Sequence, residues 1–439
     1  MQTTHTMHVD ETATYYTATA KYVLSFPSLE ADLETDVVII GGGFSGIQTA
    51  LELAEHGLTN TVVLEARHLG YGGSGRNGGH VMVGVGHDLD GIKRDVGDDG
   101  LKAIFALNEL GPQIMRERIA RYGIQADIRS GYGYLAFNAR QARTLQQWQA
   151  EFASLGSPHE VRYLEGSEVK QIIGSDVYHA ALLHNGCGHV HSLNLLLGEA
   201  QVVSERYGVR IFEHSPALQV TYGDRIHVRT AKGSIRAKQL VWAVDGFNNR
   251  IERELHRKTL DVWAFNSVTE PLPAALIEQI SPIRGAYSDI RPVIDYFRVT
   301  NDNRLMFGTA HQLLEYMPSD LYAFCRARML QIFPYLTDIR IDMAWGGPLP
   351  CSLKLFPQLG TLVDRPNVFY VQGYSGFGVT PSQLLCKILA EGIMGGSDRY
   401  RLLSSISHTP IPGKDHFRAL LVSLGKLAHQ TSGYFHGRR

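Results

Sequence analysis

The sequence predicts an α/β fold in which one domain is assembled from distant parts of the chain. Two observations carry this: a strand, a glycine turn and a helix follow one another near residue 40, and the same succession returns near residue 373. Between them the chain switches to shorter, turn-rich pieces, as expected of a second domain inserted in two segments.

The first unit spans residues 36–67. Val37-Val38-Ile39-Ile40 is an unbroken apolar run, the pattern of a strand covered on both faces in a parallel sheet. Ile47, Ala50, Leu51 and Ala54 then recur at helical spacing, and Gly57 suits the end of that helix. Thr61-Val62-Val63-Leu64 reads as a second buried strand. Further on, 101–121, 139–155, Leu193–Tyr207, 318–333 and 380–394 read as helices. Val209–Phe212, Leu240–Ala243 and Asn367–Gln372 read as strands, and Arg225–Thr230 with Ser234–Ala237 as a hairpin.

At 439 residues the chain exceeds a single ordinary domain, and 44% hydrophobic with 19% charged residues excludes wholesale disorder. The 42 Lys+Arg against 43 Asp+Glu give no net pull towards nucleic acid or an anionic membrane. Cys187, Cys325, Cys351 and Cys386 are widely spaced and form no CxxC pair, which argues against a disulfide scaffold or structural zinc. No secretory leader or apolar run of about 18 residues is seen, so a cytoplasmic protein without an integral membrane segment is expected.

Three glycine-rich segments carry the chemistry. In Gly41-Gly42-Gly43-Phe44-Ser45-Gly46, a GxGxxG turn lies between strand and helix, with Glu65 ending the next strand. This context binds dinucleotides: the glycines let the backbone approach a pyrophosphate, the helix N-terminus faces it, and the carboxylate accepts ribose hydroxyls. The second segment runs from Gly70 to His80 and is too rich in glycine for helix or strand. The third, Gly373–Thr380, places another helix N-terminus where it can stabilise negative charge. A nicotinamide site needs only the first; a flavin dinucleotide uses all three.

These residues resemble the FAD-dependent amine and amino-acid oxidoreductases of the D-amino-acid oxidase type. The likeness extends through Ser74–Gly79, Gly188–His191, Thr269–Leu272, Asp295–Arg298, Asn303–Leu305, Trp345–Gly347 and Gly373–Thr380. It implies an FAD-binding Rossmann-like domain from 30–120, 186–262 and 343–400, and a substrate domain of mixed or antiparallel sheet from 121–185 and 263–342. Residues 401–439 are expected to form a C-terminal helical extension, with Phe417, Leu420, Leu421 and Leu424 on one apolar face.

By the same resemblance Gly41, Gly43, Phe44, Ser45, Gly46, Glu65, Ala66, Arg67 and Ala217 would hold the ADP half of FAD. Ser74, Arg76, Asn77, Gly78, Gly79 and His80 would line the pyrophosphate and ring. Gly376, Phe377, Gly378, Val379 and Thr380 would meet the ring's far edge. Attachment is expected to be non-covalent, because Cys351 is displaced from the position of the attaching cysteine near Gly347. Met306 stands where an oxygen-activating lysine occurs in one branch.

Tyr296, His80 and Lys354 are the candidate catalytic residues, and Tyr296, Arg298 and Phe377 the candidate substrate contacts. Tyr296 also reads as a plain sheet tyrosine, Lys354 as a solvated lysine, and His189 and His191 as structural histidines rather than a metal site. The implied reaction is hydride transfer from a gamma-glutamylputrescine-like or related amine to flavin N5. The imine then hydrolyses to an aldehyde, with hydrogen peroxide formed if oxygen is the acceptor. An oxidase is expected over a dehydrogenase. A secondary-amine or α-amino-acid oxidoreductase, or a non-catalytic FAD-binding subunit, stays open, as do the electron acceptor and oligomeric state.

Overall fold

The computed structural model describes residues 13–411, except 88, 155, 249–250, 292 and 311–317. The amphipathic stretch expected over 413–439 lies outside the described residues; of the extension from 401 onwards they include the end of a helix, Asp398–Ser404.

Two sheets organise the chain. The first has eight strands, with Gln358–Leu362, Arg365–Gln372, Ser234–Trp242, Asp32–Ile40, Thr61–Leu64 and Arg210–Phe212 side by side in that order. Its four inner junctions are parallel, from Arg365–Gln372 to Arg210–Phe212. The hairpin of Gln219–Thr221 and Ile226–Arg229 extends Ser234–Trp242 antiparallel. Alternation along the central strand explains its apolar run: Val37 and Ile39 enter one core, Val38 and Ile40 the other. The first core also receives Ile47, Ala50 and Leu51 of helix Phe44–Glu55 and Leu384, Leu385 and Ile388 of helix Pro381–Ile393. Distant parts of the sequence thus build one Rossmann-like layer.

The second sheet has nine strands in the order Ile341–Cys351, Leu260–Thr269, Leu305–Ala310, Asp295–Val299, Ala286–Asp289, Arg129–Ala136, Ala180–His189 and His80–Val81, with Val161–Glu165 also on Ala180–His189. Only Ala286–Asp289 with Arg129–Ala136 is parallel, so the sheet is mixed. The back of Asp295–Val299 presents Phe297, stacked at 5.9 Å on Phe307 within the core covered by helix Leu321–Ile332. Its front presents Tyr296 and Arg298.

The expected segment boundaries differ from this division. Those at 185/186 and 342/343 fall inside single strands, Ala180–His189 and Ile341–Cys351, which lie wholly in the second sheet. Hydrogen bonding to neighbours explains both: Cys351 pairs with Leu260, and His189 with His80. The helix expected over Leu193–Tyr207 ends at Gln201 and continues as a five-residue π-helical turn, Val202–Arg206.

Candidate cofactor and substrate site

The first glycine turn is shaped by close approach. Gly41 has φ +117°, and a Cβ there would sit 2.3 Å from the carbonyl oxygen of Ala243; a Cβ on Gly46 would sit 1.8 Å from that of Gly41. Gly43 caps helix Phe44–Glu55 without a side chain, leaving its N-terminal amides facing the turn. Glu65 accepts from the amides of Gly42 (2.7 Å) and Arg67 (2.8 Å), one on each oxygen. Burial raises its pKa while those two bonds lower it. Each oxygen keeps acceptor capacity for a hydroxyl. Ala66 and Arg67 are exposed beside it. Ala217 is buried near Ile40, Leu64 and Trp242, and Ser215 N–H donates to the Glu65 carbonyl at 2.8 Å.

The second glycine segment is tied to the first. Ser74 Oγ accepts from the Phe44 amide at 2.8 Å, and the Gly70 amide donates to the Gly42 carbonyl at 3.1 Å. Asn77 folds the segment on itself, donating to the carbonyls of Gly73 (2.9 Å) and Ser74 (3.1 Å) and accepting from Gly79 N–H at 2.7 Å. The second sheet grips the same stretch. Arg76's carbonyl accepts from Asn266 Nδ2 (3.0 Å) and Trp345 Nε1 (2.8 Å), and Gly78's accepts from Arg298 Nε (2.8 Å).

The third segment closes the arrangement. Tyr374 OH lies 2.8 Å from Ser45 Oγ of the first segment, and Thr380 Oγ1 accepts from Met82 N–H at 3.0 Å, just past the second. Gly373 N–H donates to Asp245 Oδ1 at 2.8 Å, and burial pushes the Asp245 carboxyl up to about 7. Gly376 takes φ +85°, Gly378 packs on Tyr374, and Val379 and Thr380 are buried at the start of helix Pro381–Ile393. Phe377 packs against His87, ring centroids 5.2 Å apart.

The substrate-side candidates separate into two groups. Tyr296, His80 and Gly78 are brought together: the two rings meet edge to face at 5.3 Å, and a Cβ on Gly78 would come within 2.7 Å of the tyrosine ring. Burial drives the His80 pKa down to about 3, with the Arg298 charge adding to the effect, so the imidazole is neutral. Arg298 shares that strand face with Tyr296 but is not open to a carboxylate. Its Nε donates to Gly78, one terminal nitrogen to Tyr16 OH at 3.2 Å, and the other lies 3.4 Å from His189 Nδ1.

Lys354 does not join this group. It pairs with Asp95 and donates to Ser407 Oγ at 3.1 Å, tying its loop to helix Lys93–Phe105 and the segment after Ser404. His191 caps helix Ser192–Gln201 by accepting from Asn194 N–H at 3.1 Å, and His189 Nε2 lies 3.1 Å from the Arg284 carbonyl.

Four residues escaped the sequence reading: Asp245, Asn266, Trp345 and Tyr16. Asp245 had a usable signal, an acid ending the apolar strand Leu240–Ala243 before Gly246. Trp345 opens the Trp345-Gly346-Gly347 motif, yet its partner is 269 residues away.

The amide-lined turn, the carboxylate beside it and the small residues around it fit a flavin dinucleotide: side chains at Gly41, Gly43 or Gly46 would collide with the walls of the cradle. The sequence profile of the family described as FAD dependent oxidoreductase matches residues 36–392. The chain belongs to that family, and its cofactor is FAD. Its sequence is 33% identical to gamma-glutamylputrescine oxidoreductase of Escherichia coli, over 95% of this chain and 97% of that one. It is 32% identical to a probable oxidoreductase of Haemophilus influenzae, over 94% and 95%. Its fold superposes on L-proline dehydrogenase from P. horikoshii with a TM-score of 0.68 at 20% identity, covering 84% of this chain and 95% of that one. Among the described residues no helix is long and apolar enough to cross a membrane.

Proposed function

We propose that this chain oxidises the carbon–nitrogen bond of an amine of the gamma-glutamylputrescine-like kind, giving an imine that water hydrolyses to an aldehyde. The observation that carries this reading is the state of Arg298. Each of its three nitrogens already has a protein neighbour, so that strand offers no ready clamp for an α-carboxylate. The relationship at 33% identity to an enzyme named for gamma-glutamylputrescine supports the same substrate class.

Bound FAD supplies the two-electron acceptor for the oxidation. The glycine segments would hold it: Glu65 at the ribose, the Gly41–Gly46 turn at the pyrophosphate, and Gly78–His80 with Gly376–Thr380 around the ring. Tyr296 and His80 form an aromatic wall on the substrate side, excluding water from the reacting bond. Because His80 is neutral, it places no positive charge against an amine there. Desolvation at that wall favours the uncharged amine, whose nitrogen lone pair the reaction requires.

The test is anaerobic mixing of FAD-loaded protein with gamma-glutamyl amines, free diamines and α-amino acids. Amines are expected to bleach the visible flavin absorption and amino acids to leave it unchanged. Bleaching by amino acids alone overturns the substrate class. No bleaching by any of them leaves a non-catalytic FAD-binding subunit. Peroxide released in air then assigns oxygen as the acceptor; reoxidation only by an added carrier assigns a dehydrogenase.

A further inference from the structure

His80 is held in one protonation pattern by a row of buried hydroxyls. Its Nδ1 lies 3.0 Å from Tyr132 OH, and Tyr132 OH donates to Ser288 Oγ at 2.8 Å. A phenol has one proton, and Tyr132 gives it to Ser288, so at His80 the tyrosine oxygen can only accept. Nδ1 therefore carries the imidazole proton, and Nε2 is left with a bare lone pair.

Among the described residues that lone pair has no hydrogen-bond partner, although the atom is buried. A buried acceptor left unmet costs free energy, which a ligand N–H can recover. The ring cannot turn away easily. It is set edge to face against Tyr132 (5.4 Å, 78°) on one side and Tyr296 (5.3 Å, 84°) on the other. Its backbone is fixed by strand pairing of His80 with His189.

We infer that Ser288 and Tyr132 act as positioning residues that fix the His80 tautomer, so that Nε2 accepts a hydrogen bond from the N–H of the substrate amine. The inference rests on the amine-oxidising reading above and deepens it. It gives His80 the role of holding the nitrogen, not of removing its proton. A substrate whose nitrogen bears no hydrogen loses this contact, so primary and secondary amines are favoured over tertiary ones.

The experiment uses FAD-loaded protein labelled with 15N-histidine, with the His80 signal assigned by its loss in His80→Gln. Wild type is expected to show Nδ1 protonated and Nε2 bare. Ser288→Ala removes the acceptor of the tyrosine proton, which then turns to Nδ1 and moves the imidazole proton to Nε2. In anaerobic flavin reduction by a primary amine, that variant is expected to raise the half-saturating concentration about tenfold, the worth of one hydrogen bond, while the limiting rate stays within about threefold. Tyr132→Phe, which removes the partner of Nδ1, is the second arm and is expected to weaken binding similarly.

A wild-type spectrum with Nε2 protonated overturns the inference. So does unchanged half-saturation in both variants while amines still reduce the wild type, a result that leaves the amine reading standing. If no amine reduces the wild type, the functional reading falls and takes this inference with it.

Discussion

Arg298 Nε donates to the carbonyl of Gly78 over 2.8 Å, joining the front of the second sheet to the middle of the second glycine segment. Tyr16 OH and His189 hold the guanidinium from its other side, so the arginine is a strut between layers.

Arg298→Lys keeps the charge but cannot reach three partners in one plane. A hydrogen bond to a charged group is worth about 1.5–3 kcal/mol, so FAD affinity is expected to fall about tenfold or more. Flavin fluorescence released on dilution measures this, and unchanged retention would show that the strut is dispensable.

Gly43→Ala and Gly46→Ala separate the cofactor from the fold. A methyl on Gly43 would meet the far end of a serine, Ser74 Oγ at 2.8 Å, whereas one on Gly46 would meet backbone, the Gly41 carbonyl oxygen at 1.8 Å. Gly43→Ala is expected to give folded protein depleted of FAD. Gly46→Ala is expected to lose about 3 kcal/mol or more of stability, or to fail to fold, through overpacking. Circular dichroism with the flavin-to-protein absorbance ratio distinguishes the two.

Asp245 makes the apoprotein's stability depend on pH. Burial raises its folded pKa from the ordinary 3.8 to about 7, so the folded state holds this proton more tightly than the unfolded one. The associated stability is present below the unfolded pKa and is lost as pH rises through about 7. Asp245→Asn keeps an acceptor for Gly373 N–H without the titration. Its melting temperature is expected to fall less than that of wild type between pH 5 and 8, with the gap equivalent to about 2–4 kcal/mol at most.

Tyr16 lies ahead of the first strand yet belongs to the site. It is fully buried, packs on His191 and Trp345, and receives the Arg298 bond. Tyr16→Phe is expected to cost about 1.5–3 kcal/mol by urea unfolding, the worth of one hydrogen bond to a charged group. Tyr16→Ala also leaves a cavity and is expected to cost about 3–5 kcal/mol.

The dinucleotide turn was legible because its requirements are local: an apolar strand, glycines where carbonyls approach, and a helix whose cap lacks a side chain. The second sheet was less so. Ile341–Cys351 contains Gly346-Gly347-Pro348 and Pro350, residues that local rules read as a turn, and it is held extended by pairing with Leu260–Thr269. The surroundings of Lys354 and Arg298 are likewise not readable from residue type. Asp95 and Ser407 claim the first, and Gly78, Tyr16 and His189 surround the second; none of these partners is near it in sequence.

Asn266, Trp345 and Arg298 all reach from the second sheet to carbonyls of the second glycine segment, the stretch proposed to line FAD. On that proposal, transplanting the sheet from a relative to alter selectivity carries away three anchors of this segment along with the pocket wall. A chimera that keeps these three side chains and varies the remainder is the one that should emerge yellow.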